Sequence, residues 1–306
     1  MAGARAGTAD IRRRGGTPGP SALARHRQRT AYLFLAPTLV FFGLLFFYPL
    51  GLELWSSLLS GPRVDEFVGA GNYARALTDP ATLHSFAVTL LFGAGVVVAS
   101  LVLGLTFAML LDRQLPGRVL FRSILLVPYL TSIVIIGLLW RNLLDPSVGI
   151  LNRLLLALDL PTQQWLSTQP LAVLVGITVW QMAGYTTVLF LAGLQGIPEI
   201  YYEAAKVDGA SAWTQFSRIT LPLLAPTTLF VSVIGVIHSL QAFAQPYIMT
   251  DGGPGNATEL YVFRVFDVAF TFRDIGYASA LSFLFMCVIM AFTLVQFRVG
   301  RREVRY

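Results

Sequence analysis

The sequence predicts an all-α integral membrane protein with six transmembrane helices. Only 12% of its 306 residues are charged and 55% are hydrophobic, whereas a soluble domain averages about 25% charged residues. Six apolar runs are long enough to cross a bilayer, and the basic residues concentrate in alternate connections between them. A chain so poor in charge cannot cover a water-facing surface, so lipid must solvate much of it.

The six apolar runs define the predicted spans. A hydrocarbon core of roughly 30 Å needs about 20 apolar residues in a helix. The runs that satisfy this length, all without Asp, Glu or Lys, are residues 31–50, 86–111, 120–140, 171–191, 225–245 and 276–297. In lipid every backbone N–H and C=O needs an internal partner, which requires helices here. We therefore expect a transmembrane domain at 30–300, a disordered basic tail at 1–29 and a short tail at 301–306.

The distribution of basic residues predicts the orientation. Sixteen of the 22 Lys and Arg residues lie in the two tails, the connection after the second span and the connection after the fourth span. Positively charged connections stay on the cytoplasmic side. Both termini are therefore expected in the cytoplasm, and the basic charge is accounted for without nucleic acid.

The sequence lacks the residue patterns needed for a disulfide, a metal site or a nucleotide-binding loop. The single cysteine, Cys287, cannot form an intrachain disulfide, and three histidines with one cysteine show no metal-ligand spacing. The chain has no phosphate-binding loop of the form G-x-x-x-x-G-K-[ST]. We therefore expect no catalytic site, no metal and no cofactor bound by this chain.

Uncharged polar residues within the spans are candidates for a substrate path. Gln181 and Tyr185 are four residues apart in the fourth span and share a helix face. His238, Gln241 and Gln245 are expected on one face of the fifth span. Polar groups in lipid usually face the helix bundle or a water-filled path, so either transport or packing between helices explains them. Such side chains hydrogen-bond hydroxyls and stack on sugar rings, which suits a neutral sugar.

The segment 192–222, between the fourth and fifth spans, has a local pattern of its own. Pro198 and Glu199 suit the first turn of a helix, and Gly209 permits a sharp turn before a second short helix. Two short helices on the cytoplasmic surface are expected. On composition alone, an amphipathic linker lying on the membrane surface is the favoured interpretation.

The same segment carries a specific motif. Glu203-Ala204-Ala205, Asp208-Gly209 and the distal Leu221-Pro222 resemble the EAA loop of binding-protein-dependent ABC importer permeases. Residues 246–256, together with 71–73 and 276–280, resemble the carbohydrate-uptake branch of that family, in particular a short form of the maltose-type first permease. The resemblance covers residues 31–297.

The resemblance implies the type I ABC importer permease fold and a place in a bacterial cytoplasmic membrane. It implies a permease subunit that takes up a sugar or related carbohydrate and is not itself an enzyme. The implied partners are a second homologous permease in a heterodimer, two nucleotide-binding subunits that use ATP and Mg, and an extracytoplasmic solute-binding protein. Glu203, Ala204, Ala205, Asp208, Gly209, Leu221 and Pro222 would then couple the permease to an ATPase subunit.

Three alternatives remain at this stage. A secondary transporter would require buried ionisable residues or an internal repeat, and the spans contain no acids. A membrane enzyme would require paired carboxylates; Asp251 and Glu259 share one external loop but are expected to be solvated. An importer of glycerol 3-phosphate or glycerophosphodiesters stays within the family, and arginines facing the path would favour it.

Overall fold

The computed structural model describes residues 22–61, 65–113 and 116–303, with side chains described between residues 30 and 300. The chain divides into two units, Met1–Leu52 and Glu53–Tyr306. The predicted disordered tail at 1–29 falls largely outside the described residues, but the backbone is already helical from Ala22.

The first unit is helical throughout its described part. Helix α1 (Ala22–Phe42) continues through a π-helical turn at Gly43–Phe47 into α2 (Tyr48–Ser57), which runs on into the second unit. From Thr30 to Ser57 the helix is long and apolar enough to span a membrane. Its large side chains, such as Phe34 and Phe47, are exposed, as expected for a surface that lipid covers.

The second unit contains a small hairpin and a series of helices. The hairpin pairs β1 (Leu59–Ser60) with β2 (Glu66–Phe67) in antiparallel register. The helices are α3 (Gly71–Thr78), α4 (Pro80–Asp112), α5 (Arg118–Leu130), α6 (Ile133–Leu143), α7 (Ile150–Ala157), α8 (Trp165–Thr168), α9 (Pro170–Gln195), α10 (Ile200–Val207), α11 (Ala212–Gln215), α12 (Leu221–Leu223), α13 (Ala225–Leu240), α14 (Ala244–Met249), α15 (Tyr261–Phe266) and α16 (Ile275–Glu303). Two π-helical turns, Phe216–Thr220 and Asp267–Thr271, follow α11 and α15.

Among the described residues, four helices are individually long and apolar enough to cross a membrane. They are Thr30–Ser57, Pro80–Asp112, Pro170–Gln195 and Ile275–Gly300. Two bent helix pairs would raise the number to six if each forms one span: α5 with α6, bent by 97°, and Ala212–Leu223 with α13, bent by 64°. The all-α membrane architecture is confirmed, whereas six spans is the upper limit of this range.

Two predicted spans are not single straight helices. The third, 120–140, breaks between α5 and α6 at Thr131 and Ser132. The fifth, 225–245, ends as a helix at Leu240, and Gln245 belongs to α14 instead. Hydropathy reports only that a segment is apolar, so it could not locate either break.

Small residues bring α4 and α9 into close contact. Ser100, Gly104 and Ala108 recur every four residues on α4, and Ser100 and Ala108 are buried. A Cβ added at Gly104 would lie 2.6 Å from Oγ1 of Thr186 on α9. Small side chains let two backbones approach in a membrane, where packing rather than the hydrophobic effect holds helices together.

The segments beyond the two breaks pack against each other. A Cβ at Gly137 of α6 would lie 3.2 Å from Ile248 of α14. Arg141 at the end of α6 donates a hydrogen bond to the carbonyl of Ile248 at 3.1 Å. The two broken helices thus meet on one side of their breaks.

Candidate coupling segment and translocation path

The coupling segment, residues 200–223, begins with a helix that ends in a Schellman motif. The N–H of Ala210 donates to the carbonyl of Ala205 at 2.9 Å, and the N–H of Gly209 donates to that of Lys206 at 3.1 Å. Gly209 adopts φ of +75°, a left-handed conformation that glycine reaches without a steric penalty. The motif glycine therefore ends α10 and turns the chain.

Side-chain hydrogen bonds hold the two halves of this segment together. Ser211 caps α11 by accepting the N–H of Thr214 at 3.2 Å. Gln215 donates through Nε2 to the carbonyl of Ala210 at 2.9 Å. The hydroxyls of Tyr202 and Thr220, on opposite sides of the turn, are 2.9 Å apart. These bonds fix the bend between the helices, so the segment can act as one body.

The predicted coupling residues lie mostly on the surface of this segment. Ala205 is half-buried, and the exposed members are Glu203, Ala204, Asp208, Gly209, Leu221 and Pro222. Sequence reasoning missed three large apolar side chains beside them. Ile200 is exposed, Val207 is 88% exposed and Trp213 is 73% exposed. Large apolar residues in a connection that was expected to face water could have indicated them, since exposed apolar patches mark interaction sites.

The two polar residues of the fourth span lie in different surroundings. Gln181 is buried, and its Oε1 has no hydrogen-bond partner. Tyr185 is half-buried and its ring stacks on Tyr129 of α5, with ring centroids 4.5 Å apart and planes 10° apart. Sequence reasoning missed Tyr129, because nothing in the apolar run around it indicated that it meets Tyr185.

The three polar residues assigned to the fifth span do not share one helix face. Gln241 is the C-terminal cap of α13, where the helix stops, and Gln245 lies in α14. The prediction that His238, Gln241 and Gln245 share one face of the fifth span was therefore wrong. His238 is half-buried in α13, Gln241 is exposed, and Gln245 is 2% exposed with its Nε2 unpaired.

A cavity of about 380 Å³ lies beside the break after α13. Gln241 borders it together with Ser282 and Met286 of α16. Polar side chains next to interrupted backbone, otherwise surrounded by apolar residues, are typical of solute sites in transporters. This break can therefore offer hydrogen bonds to a solute.

A network of ion pairs joins the N-terminal end of α4 to α15 and α16. Asp79 accepts hydrogen bonds from Thr82 at 2.7 Å and Tyr277 at 3.1 Å. Arg264 reaches Asp79 at 3.4 Å and Glu259 at 3.7 Å. Nearby, Arg75 forms a 2.8 Å ion pair with Asp274, and its guanidinium lies 3.9 Å from the centre of the Tyr277 ring.

The two carboxylates that share Arg264 titrate in opposite directions. Burial alone would raise the pKa of Asp79, but hydrogen bonds from Thr82, Tyr277 and the Ala81 N–H, with the charge of Arg264, hold that pKa below its ordinary 3.8. Burial raises the pKa of Glu259 above its ordinary 4.5 despite Arg264. The expectation that Glu259 is solvated was wrong, because it is 4% exposed.

No group of three or more His, Cys, Asp or Glu residues able to hold a metal ion occurs in the part of the chain that the structure describes. Cys287 lies exposed on α16.

Comparisons with known proteins place the chain in a family. Residues 100–305 match the family described as "Binding-protein-dependent transport system inner membrane component". The chain is 31% identical over 280 residues to the sn-glycerol-3-phosphate transport system permease protein UgpA of Agrobacterium fabrum, covering 90% of this chain and 96% of that protein. It is 34% identical over 287 residues to the trehalose/maltose transport system permease protein MalF of Thermococcus litoralis, covering 92% and 97%.

Solved structures agree on the fold. A crystal structure of a bacterial alginate ABC transporter with an alginate pentasaccharide-bound periplasmic protein contains a chain that matches with a TM-score of 0.81 at 21% identity, covering 94% of this chain and 99% of that one. A chain of a second alginate importer structure matches with a TM-score of 0.76 at 22% identity, covering 92% and 98%. The fold is that of a type I ABC importer permease.

A permease of this family forms the membrane passage, while ATP hydrolysis belongs to separate subunits, so neither a secondary transporter nor a membrane enzyme describes the chain. With the family profile, two full-length relatives and the fold in agreement, the chain belongs to the inner membrane components of binding-protein-dependent transport systems, as a permease subunit of an ABC importer.

Proposed function

We propose that the chain forms half of the translocation path of an importer for a neutral sugar or oligosaccharide. An extracytoplasmic solute-binding protein delivers the sugar, and a second homologous permease supplies the other half of the path as a heterodimer. The polar groups available inside the permease support this proposal. Gln181 and Gln245 are buried with unpaired amide atoms, and a buried polar atom without a partner is unfavourable until something hydrogen-bonds it.

Five residues are assigned to the path: Gln181, Tyr185, His238, Gln241 and Gln245. Hydroxyl groups of a sugar can donate to and accept from their side chains. The stacked rings of Tyr129 and Tyr185 add a flat apolar surface of the kind that packs on a sugar face. Because α5 and α13 both end near these residues, helix movement at the breaks would change the spacing of the polar groups.

The proposed orientation places both termini and the coupling segment in the cytoplasm. The excess of Lys and Arg in the tails and in the connections after the second and fourth spans supports it. The connection 250–260 and the ion-pair network around Arg264 then lie at the outer face of a bacterial cytoplasmic membrane.

The single observation that carries the coupling mechanism is the exposed apolar surface of a rigid coupling segment. Val207 and Trp213 project from a helix pair that its own hydrogen bonds hold together. Such side chains suit the core of a protein interface, and Glu203 suits a charged contact at its rim. We assign this surface to one of two ATPase subunits, which bind ATP and Mg and which this chain does not replace.

Coupling then follows from the connection of this segment to the helices. Closure of the ATPase subunits around ATP would pull the segment, and the hydrogen bonds across its bend would transmit the movement to α9 and α13. Such coupling requires that the ATPase bind the inward-facing and outward-facing states with different free energies.

Crosslinking tests this assignment. In a Cys287→Ser background, Val207→Cys in the assembled transporter should crosslink to the ATPase subunit, and the yield should change when ATP binds. The control is Asp159→Cys, an exposed position on the outer side in the proposed orientation, which should not crosslink. Absence of a Val207→Cys product, or a product from Asp159→Cys alone, would contradict the assignment.

A second substrate class is supported by the relatives. UgpA of Agrobacterium fabrum is described as a permease for sn-glycerol 3-phosphate, and a phosphate would need cationic partners in the path. Two arginines on the outer side in the proposed orientation are already engaged: Arg141 donates to the Ile248 carbonyl and Arg264 contacts two carboxylates. The neutral sugar is therefore favoured. The two substrate classes are distinguished by measuring the uptake of labelled trehalose and asking whether unlabelled maltose or unlabelled glycerol 3-phosphate competes with it.

A further inference from the structure

The outer cavity is a pocket of about 350 Å³ beside the connection 250–260, and nothing in the coupling or path assignments uses it. Its carboxylates are Asp251, Glu259 and Asp267, and its aromatic rings are Tyr247, Phe263 and Phe266. It opens at the end of the molecule opposite the coupling segment in the proposed orientation.

The carboxylates of the outer cavity lack sufficient positive charge. Glu259 is 4% exposed and its Oε1 has no hydrogen-bond partner, although the Ser85 hydroxyl and the His84 ring lie near its carboxylate. Its nearest cation, Arg264, is 3.7 Å away and also serves Asp79 at 3.4 Å. Asp267 accepts a hydrogen bond only from the Thr271 hydroxyl at 3.1 Å among the bonds described for its side chain. A buried carboxylate without a full partner is unfavourable, so the cavity attracts a cation.

The aromatic rings determine what kind of cation fits. Tyr247 and Phe263 have ring centroids 6.0 Å apart, and Tyr247 and Phe266 have centroids 5.5 Å apart. Rings attract ammonium and guanidinium groups through their faces and accommodate the attached methylene groups. The described acids do not form a cluster that could hold a metal ion. The lining therefore matches an organic cation, such as the end of a Lys or Arg side chain.

The surroundings of the cavity resemble a protein interface. Phe270 is 67% exposed and its ring lies 4.9 Å from that of Phe266. The connection 250–260 is already ordered, since the hydroxyls of Thr250 and Thr258 are 2.7 Å apart and Thr258 donates to the Gly253 carbonyl at 2.9 Å. Exposed aromatic residues around a preformed pocket favour binding because little conformational entropy is lost.

We propose that the outer cavity receives a lysine or arginine side chain of the solute-binding protein when that protein docks on the outer face. The inference rests on the proposed function for its orientation and partner. The cation would lie against the aromatic rings and pair with Glu259, while Asp251 and Asp267, which are more exposed, form the opening and guide its approach. Burial, which raises the pKa of Glu259 in the free permease, would then be offset by a second positive charge.

The experiment uses the complete transporter in lipid nanodiscs with the solute-binding protein of the same import system. The quantity measured is the binding-protein concentration that gives half-maximal stimulation of ATP hydrolysis. Neutralising the opening with Asp251→Asn and Asp267→Asn together should raise this concentration about tenfold at low salt, because charge complementarity at an interface mainly accelerates association. The rise should shrink at high salt.

Asp159→Asn is the matched control. Asp159 is exposed, lies outside the cavity and has φ of +56°, a conformation that asparagine also adopts. This variant should keep the wild-type concentration. Subunit stoichiometry of the purified complexes verifies that every variant assembles.

Benzamidinium serves as a probe for the chemistry of the cavity. It should compete with the binding protein in the wild-type complex and compete less in the doubly neutralised one. If the binding protein stimulates the wild-type complex and the doubly neutralised complex at the same half-maximal concentration, this inference alone is overturned. A wild-type complex that no solute-binding protein stimulates would overturn the proposed function and this inference together. Benzamidinium binding that leaves docking unaffected would assign the cavity to a small cation and overturn the docking proposal.

Discussion

The contact between α5 and α9 and the coupling segment each depend on one glycine, for opposite physical reasons. At Gly184 of α9 a Cβ atom would overlap the carbonyl of Leu125 on α5. At Gly209 a Cβ would meet no atom within 4 Å, but the backbone has φ of +75°. The first glycine provides space between helices and the second provides a turn that points outward.

This difference separates a region completed by the chain itself from one that awaits a partner. Around Gly184 the neighbouring residues Met182, Ala183 and Thr187 are buried. Around Gly209 the side chains face solvent, and Val207 is almost fully exposed. Substitutions in the first region should therefore affect folding, and those in the second should affect communication with the ATPase.

The largest effect is expected from Gly184→Ala. The added methyl group collides with the backbone of α5, which cannot move as easily as a side chain, so we expect a loss of about 3 kcal/mol in stability and little assembled transporter. Gly176→Ala is the matched control on the same helix, because a Cβ there meets nothing within 4 Å. Detergent-extracted yield and the thermal unfolding midpoint measure both. Equal behaviour of the two variants would refute the close α5–α9 approach.

The next effect sharpens the other side of the comparison. Gly209→Asp places a side chain at positive φ and should cost about 1 kcal/mol of stability, while strongly increasing the ATP hydrolysed per sugar imported. Gly117→Asp is the control matched in conformation, since Gly117 has φ of +79° and a Cβ there would meet no atom within 4 Å. Gly117 lies outside the coupling segment. It should lose similar stability and retain coupling. Normal coupling in Gly209→Asp, or uncoupling in both variants, would contradict the assignment.

A third prediction concerns the ion pairs at the outer end of α4. Asp79 has a lowered pKa, so its stabilising contribution is present above its ordinary pKa of 3.8 and is lost as the pH falls through the lower folded-state value. Glu259 has a raised pKa, so its charge opposes folding at neutral pH and this penalty disappears as the pH falls toward 4.5. Asp79→Asn should therefore lower stability at pH 7 by about 1.5–3 kcal/mol, as expected for hydrogen bonds to a charged group.

Glu259→Gln provides the contrast. It should keep or increase stability at pH 7, and it should remove the gain in unfolding midpoint that we expect of the wild-type chain as the pH falls toward 4.5. Thermal unfolding of the detergent-solubilised permease across that range measures both variants. Equal destabilisation by the two substitutions would show that Arg264 holds both carboxylates in the same way.

How much of this could be predicted from sequence depends on the kind of contact. The second, fourth and sixth apolar runs lie inside α4, α9 and α16, because a long apolar run in lipid can only be a helix. The bend at Gly209 was predictable as well, since positive φ demands a particular residue. In both cases the structure depends on residues close together in the sequence, so the local sequence is enough to predict it.

The missed features depend on distant residues. The helix α5 ends at Leu130 although Pro128 lies within it, and Pro246 likewise lies inside α14, so neither break coincides with a proline. Glu259 is buried because Arg264 and the end of α4 lie against it, and Arg264 and Asp79 are 185 positions apart. Composition and periodicity within one window contain no information about such pairs.

The smallest predicted effect tests the region between the two extremes, the break after α13. Gln241 is exposed there and faces the cavity that it shares with Ser282 and Met286. If its carboxamide hydrogen-bonds a sugar hydroxyl, Gln241→Ala removes about 0.5–1.5 kcal/mol of binding, which raises the transport KM up to about tenfold. Folding should be unaffected, because the cap of α13 is formed by the Gln241 backbone. Gln164→Ala, at an exposed glutamine outside the path, should change neither quantity. A lowered unfolding midpoint with an unchanged KM would instead place Gln241 with the packed helices, on the side of Gly184 in the comparison.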